Sequence, residues 1–125
     1  MDKAKVLYVD DEITNLMLFE ANLEDKYTIL TADNGFNGLD ILSKNDDVKV
    51  VISDMKMPNM SGIEFIKQAV KIAPYIDFYI LTGFEITDQI QEALDTGLIR
   101  KYFRKPFNLN EISSEIDRAL AKDNN

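Results

Sequence analysis

Five short apolar runs recur along this chain, and a longer stretch of helical period follows each one. The runs are KVLYV (5–9), YTILTA (27–32), VKVVIS (48–53), DFYILT (77–82) and KYFR (101–104). After the first, Ile13, Leu16, Phe19 and Leu23 fall on roughly one helical face. Leu39 and Leu42 mark a short helix behind the Asn34-Gly35 turn. Ile63, Ile66, Ala69, Val70 and Ala73 mark a third helix, ended by Pro74. Ile86, Ile90, Ala93 and Leu94 place a fourth over 86–96, stopped by Gly97. Asn108 and Glu111 form a capping-box pattern before a fifth, whose buried stripe is Leu109, Ile112, Ile116 and Leu120. Such alternation predicts an α/β fold: a mostly parallel sheet covered by helices on both faces.

At 125 residues the chain supports one domain, 1–125, and falls short of two. No apolar run reaches membrane-spanning length, and the start MDKAKVLYVDDE lacks a signal-peptide cleavage pattern, so a cytoplasmic protein is expected. The absence of cysteine excludes disulfides and thiolate metal sites and fits a reducing compartment. The absence of histidine is more restrictive, because it removes Ser-His-Asp chemistry, histidine-ligated zinc and any histidine base. A net charge of −8 argues against direct binding of nucleic acid. Carboxylates, hydroxyls and lysine remain to do the chemistry.

The C-terminal ends of the strands carry an unusual set. Asp10 and Asp11 follow the first, Asp54 the third and Thr82 ends the fourth, while Lys105 lies just past the fifth. In open α/β sheets ligands bind outside those ends, so five dispersed polar residues are expected to meet in one crevice. Each has a plainer reading. Asp10 or Asp11 is a good N-cap, Asp54 could start an Asx-turn before Pro58, Thr82 is an ordinary strand residue and Lys105 an ordinary solvated lysine. All five falling on one sheet edge weakens those readings jointly.

Like charges about 4 Å apart at an effective dielectric near 20 repel by roughly 4 kcal/mol, so three carboxylates need more counter-charge than Lys105 gives. A hard divalent cation supplies it, and oxygen-only ligands favour Mg²⁺, with Mn²⁺ as substitute, over zinc. A carboxylate, a metal, a hydroxyl and an ammonium around one hole describe a phosphoryl site, with Asp54 as candidate nucleophile.

These residues resemble the response-regulator receiver domain of two-component phosphorelay signalling. VDDE, DMKMPNMSG, LTG and KPF occur in family order and near family spacing, over residues 4 to about 121. The resemblance implies a flavodoxin-like, doubly wound sheet of order 2-1-3-4-5 with five helices, whose switch point lies beside Asp10, Asp11 and Asp54. It implies that Asp54 accepts a phosphoryl group from a histidine kinase or phosphotransfer protein. Asp11 would ligate Mg²⁺ directly, Asp10 largely through water, and the Lys56 carbonyl would complete the protein ligands. Lys105 would pair with phosphoryl oxygens and precede a cis peptide to Pro106. Thr82 and Tyr102 would act as the switch, reshaping the helix-4, strand-5, helix-5 face for an unknown output partner or a homodimer. Taken without the family, Tyr102 reads as an edge-strand packing aromatic, and Met57 and Met60 as loop packing.

The sequence also departs from the family. Gly83 stands where many relatives carry alanine, and LIRK before Tyr102 is one residue longer than usual, which predicts a bulge before the fifth strand. Lys56 and Phe84 occupy positions that the family ties to phosphoryl lifetime, so an altered lifetime is expected. Two other functions compete. A Mg²⁺-dependent phosphohydrolase with an aspartyl-phosphate intermediate usually needs a second aspartate two residues after the nucleophile, and that position is Lys56. A non-phosphorylated pseudo-receiver commonly loses part of the acidic set, which is intact here. The expectation is therefore a signalling switch, not an enzyme, whether free-standing or part of a longer protein.

Overall fold

Alternation within each strand divides the apolar residues between two helical layers. A computed structural model describes residues 3–83, 85–106 and 108–123. The elements run β1 (Lys5–Val9), α1 (Ile13–Leu23), β2 (Thr28–Ala32), α2 (Gly35–Lys44), β3 (Val48–Asp54), α3 (Gly62–Ile72), β4 (Asp77–Thr82), α4 (Asp88–Asp95), β5 (Lys101–Arg104) and α5 (Leu109–Asp123). All strand pairs are parallel, in the order β2-β1-β3-β4-β5. This is the flavodoxin-like receiver arrangement that the resemblance implied.

Val6, Tyr8, Val50, Ile52, Tyr79, Leu81 and Phe103 point to the α1 and α5 side, where they meet Leu16, Phe19, Leu23, Ile112 and Ile116. Their neighbours Leu7, Val9, Val51, Phe78 and Ile80 point to the other side and pack on α2, α3 and α4 through Leu42, Ile63, Ile66, Ala69 and Ile90. Burial on both faces makes the central strands read as continuous apolar runs. Lys49 interrupts β3 without breaking it, because the β1–β3 register shifts between Lys5 and Val6 and leaves Lys49 exposed.

Several local expectations change. Ile13 does not join the buried stripe of α1 and is 66% exposed. As the first helical residue it lies beyond the strand ends, where no sheet surface covers it. The fourth helix starts at Asp88, two residues later than expected, because Thr87 takes the N-cap and its hydroxyl accepts from the Ile90 N–H. Within β5, Lys101 to Arg104 pair with Tyr79 to Thr82 in unbroken register. The longer loop is taken up inward, with Ile99 buried and its N–H donating to the Ala93 carbonyl. At the start of α5, Asn108 accepts from the Glu111 N–H as expected. A full capping box that sequence reading overlooked joins Ser61 and Glu64 at the start of α3. Phe84 and Phe107 lie outside the described residues.

Candidate functional site

Asp54 closes β3 and pairs across the ladder with Leu81, so the rigid centre of the sheet sets its backbone. Locally the chain locks it further. The Met55 N–H donates to the Leu81 carbonyl, and the Gly62 N–H folds back onto the Met55 carbonyl at 2.8 Å. Gly62 must be glycine here, since a Cβ would lie 2.3 Å from the Asp54 carbonyl oxygen. Asn59 takes the left-handed conformation that turns the loop, and Met57 and Met60 pack into the core as expected.

Asp10, one residue past β1, is fully buried, and Asp54 is 4% exposed, while Asp11 faces solvent. One carboxylate oxygen from each of the three lies within 4.8 Å of the others. Lys105, just beyond β5, brings its Nζ to 3.0 Å from Asp54 Oδ1, and its backbone N–H donates to the Thr82 carbonyl. The Lys105–Pro106 peptide bond is cis. Asp11, Glu12, Asp54, Lys56, Gly83 and Lys105 line a cavity of about 550 Å³.

The electrostatics are those of a site short of positive charge. Burial, then the neighbouring Asp10 and Asp11 charges, push the Asp54 pKa up from 3.8 to about 6, against the lowering effect of Lys105. Burial works to lower the Lys105 pKa, but its bond to Asp54 and the surrounding acidic charge raise it overall, so it remains cationic. Three carboxylates converging from separate elements, two of them buried, fit a hard cation with oxygen ligands. Asp11 and Asp54, with Asp10 behind them, are the residues that would hold it.

Asp10 also carries the bond that the capping reading anticipated, in a different form. Glu12 is the N-cap of α1 and its side chain makes no capping bond; Asp10 Oδ1 accepts the Glu12 N–H instead, at 2.9 Å. Its Oδ2 accepts from the Tyr8 hydroxyl at 2.5 Å and from Asn15 Nδ2 at 3.1 Å. Sequence reading missed Tyr8 and Asn15. The available signal was spacing, because Tyr8 stands two residues before Asp10 and so shares its strand face.

Thr82 is buried at the end of β4 and opens on a neighbouring cavity of about 290 Å³ shared with Met55, Lys56 and Met57. Tyr102 is not in the acidic pocket. It pairs with Ile80 and lines a separate groove with Leu94, Arg100, Lys101, Arg104 and Glu111, the Arg104 guanidinium lying 5.8 Å from its ring centre.

The family profile described as response regulator receiver domain matches residues 6–117. The chain belongs to this family. It is 35% identical to sporulation initiation phosphotransferase F of Bacillus subtilis over 121 residues, 96% of each chain. It is 29% identical to the transcriptional regulatory protein ZraR of Klebsiella oxytoca, of which it spans only 27%. Among solved structures it resembles a response regulator receiver domain protein from Clostridium thermocellum, with a TM-score of 0.90, 36% identity and 97% of both chains covered. Receiver domains are signalling switches of two-component systems that take phosphate from histidine kinases or phosphotransfer proteins and bind Mg²⁺ at an acidic pocket. Among the described residues no helix is long and apolar enough to cross a membrane.

Proposed function

We propose that this receiver domain, with its core over about residues 4–121, accepts a phosphoryl group on Asp54 in a Mg²⁺-dependent reaction and relays that event through its α4–β5–α5 face. The observation that carries the reading is the meeting of Asp11, Asp54 and Lys105 at one cavity, with the buried Asp10 carboxylate close behind Asp11 and Asp54. Bound Mg²⁺, or Mn²⁺ in its place, would neutralise the charge on the carboxylates and on the incoming phosphoryl oxygens. Asp11 and Asp54 would hold it, with the Lys56 carbonyl as a further ligand, and Asp10 would contribute mainly charge.

Asp54 has the position of a nucleophile. Its Oδ forms the new O–P bond as the phosphorus–nitrogen bond of a donor phosphohistidine breaks, and the electron pair leaves on the imidazole. With no histidine in the chain, the phosphohistidine belongs to a partner kinase or phosphotransfer protein. Lys105 already reaches the acceptor oxygen and can follow the phosphoryl charge as it arrives. Thr82, at the adjacent strand end, supplies a hydroxyl for the new phosphoryl oxygens.

Tyr102 lies on β5 with its ring partly buried against the core, next to Ile80 and one strand from Thr82. A shift of Thr82 towards the phosphoryl group opens space that Tyr102 can enter, altering the groove it shares with Leu94 and Arg104. This face then meets an output partner or a second copy of the chain. Lys56, two residues after Asp54, disfavours the phosphohydrolase reading, since a hydrolase would keep an acid–base carboxylate there. Backbone amide NMR tests the relay. Adding Mg²⁺ and a small-molecule phosphodonor should shift the signals of Thr82, Ile90, Leu94 and Tyr102 along with those of Asp11 and Asp54. Shifts confined to the acidic pocket would contradict the switch.

A further inference from the structure

Tyr8 has no part in the phosphoryl chemistry above, yet it makes the most enclosed polar contact of the site. Its hydroxyl donates to Asp10 Oδ2 at 2.5 Å, and both residues are 0% exposed. The ring is held from behind by Phe19, stacked at 4.2 Å between centroids and 15° between planes. Period-two alternation along β1 puts Tyr8 and Asp10 on the same face, and Asn15 reaches the same oxygen from α1 at 3.1 Å.

An ionised carboxylate offers about four lone-pair positions on two oxygens. In Asp10, Oδ2 spends two on Tyr8 and Asn15, and Oδ1 spends one on the Glu12 N–H. One position is left. Asp10 can therefore give its charge, or a single lone pair, but it cannot grip an ion with both oxygens. Mg²⁺ loses little by this, because it keeps several waters and needs few carboxylates. Ca²⁺ loses more, since it takes six to eight oxygens and commonly binds carboxylates in bidentate fashion.

Building on the receiver reading, we propose that Tyr8 is a positioning residue that closes Oδ2 of Asp10 and so sets the preference of the site for Mg²⁺ over Ca²⁺. The test is calorimetric titration of the wild type and of Tyr8→Phe with each ion separately, without any phosphodonor. The variant keeps the ring on Phe19 and loses only the hydroxyl. Both ions should bind Tyr8→Phe more tightly, Ca²⁺ by several-fold more than Mg²⁺, so that the Mg²⁺ preference narrows. Asn15→Ala, which frees the same oxygen from the helix side, should narrow it in the same direction. A general loosening of the fold would instead weaken both ions alike. Affinities that fall together, or an unchanged ratio in both variants, overturn the role of Tyr8 while leaving Asp54-dependent Mg²⁺ binding in the wild type intact. A wild type that binds neither ion overturns the receiver reading and this inference with it.

Discussion

Lys105 Nζ lies 3.0 Å from Asp54 Oδ1, and the two residues come from opposite sides of β4: one from the end of β3, the other from the turn after β5. The Asp54 side chain is 6% exposed and that of Lys105 27%, so the carboxylate is the enclosed partner. The pair offsets part of the cost of burying a carboxylate beside two others, and it holds the ammonium where an incoming phosphoryl group would need it. The same contact sets Lys105 against a metal ion, since both draw on one anion.

Replacing Lys105 should therefore separate two properties. Lys105→Met is expected to bind Mg²⁺ more tightly than wild type, because a competing cation is gone, yet to take phosphoryl from a small donor about 100-fold more slowly. Calorimetry and a labelling time course measure the two. A parallel loss of both would mean that Lys105 serves only to hold the pocket together.

The raised pKa of Asp54 predicts how stability depends on pH without metal. Its folded-state value of about 6 lies above the ordinary 3.8, so its contribution favours the fold below about pH 4 and fades as pH rises through 6. Asp54→Asn cannot ionise. In the presence of chelator it should be more stable than wild type by about 1–3 kcal/mol at pH 7.5 and nearly equal to it at pH 4. Mg²⁺ should shrink the gap at pH 7.5. Thermal melts across this range check it, and an offset independent of pH would contradict it.

Two glycines near the site should behave in opposite ways. Gly62→Ala forces a Cβ into the Asp54 carbonyl, a backbone group that cannot swing away, and should cost about 2 kcal/mol or more. At Gly83 a Cβ would meet the Lys105 side chain at 3.5 Å, an ordinary contact, so Gly83→Ala should fold as well as wild type. Denaturant titration of both variants distinguishes them, and equal stability would mean the β3–α3 turn is looser than described.

Lys56 is exposed on the cavity rim, two residues from Asp54. Its removal in Lys56→Ala should change the decay rate of the phosphorylated chain by several-fold, read by following loss of label after the donor is removed. Phe84→Ala bears on the same lifetime. Equal decay in wild type and both variants would end the idea that these positions set it.

The sequence made the sheet legible because its strands are buried on both faces and so stand out as apolar runs. Strand order was not legible in that way and came from family resemblance. Asp10, Asp11, Asp54 and Lys105 could be gathered in advance because the parallel topology sends every strand end to one edge. Tyr8 was harder to gather: its spacing shares a strand face with Asp10, but a tyrosine in an apolar run looks like core, and its hydroxyl matters only once the geometry brings Asp10 within reach. Ile13 misled for a related reason: helical spacing identifies a face but not where the sheet beneath it stops. In the loop before β5, length alone does not reveal that Ile99 turns inward.

Intact-mass analysis after incubation with a small-molecule phosphodonor, with and without Mg²⁺ and beside Asp54→Asn, tests the central claim most directly. A single phosphoryl adduct that needs both Mg²⁺ and Asp54 is the expected result. No adduct under any condition, or one that persists in Asp54→Asn, would contradict it.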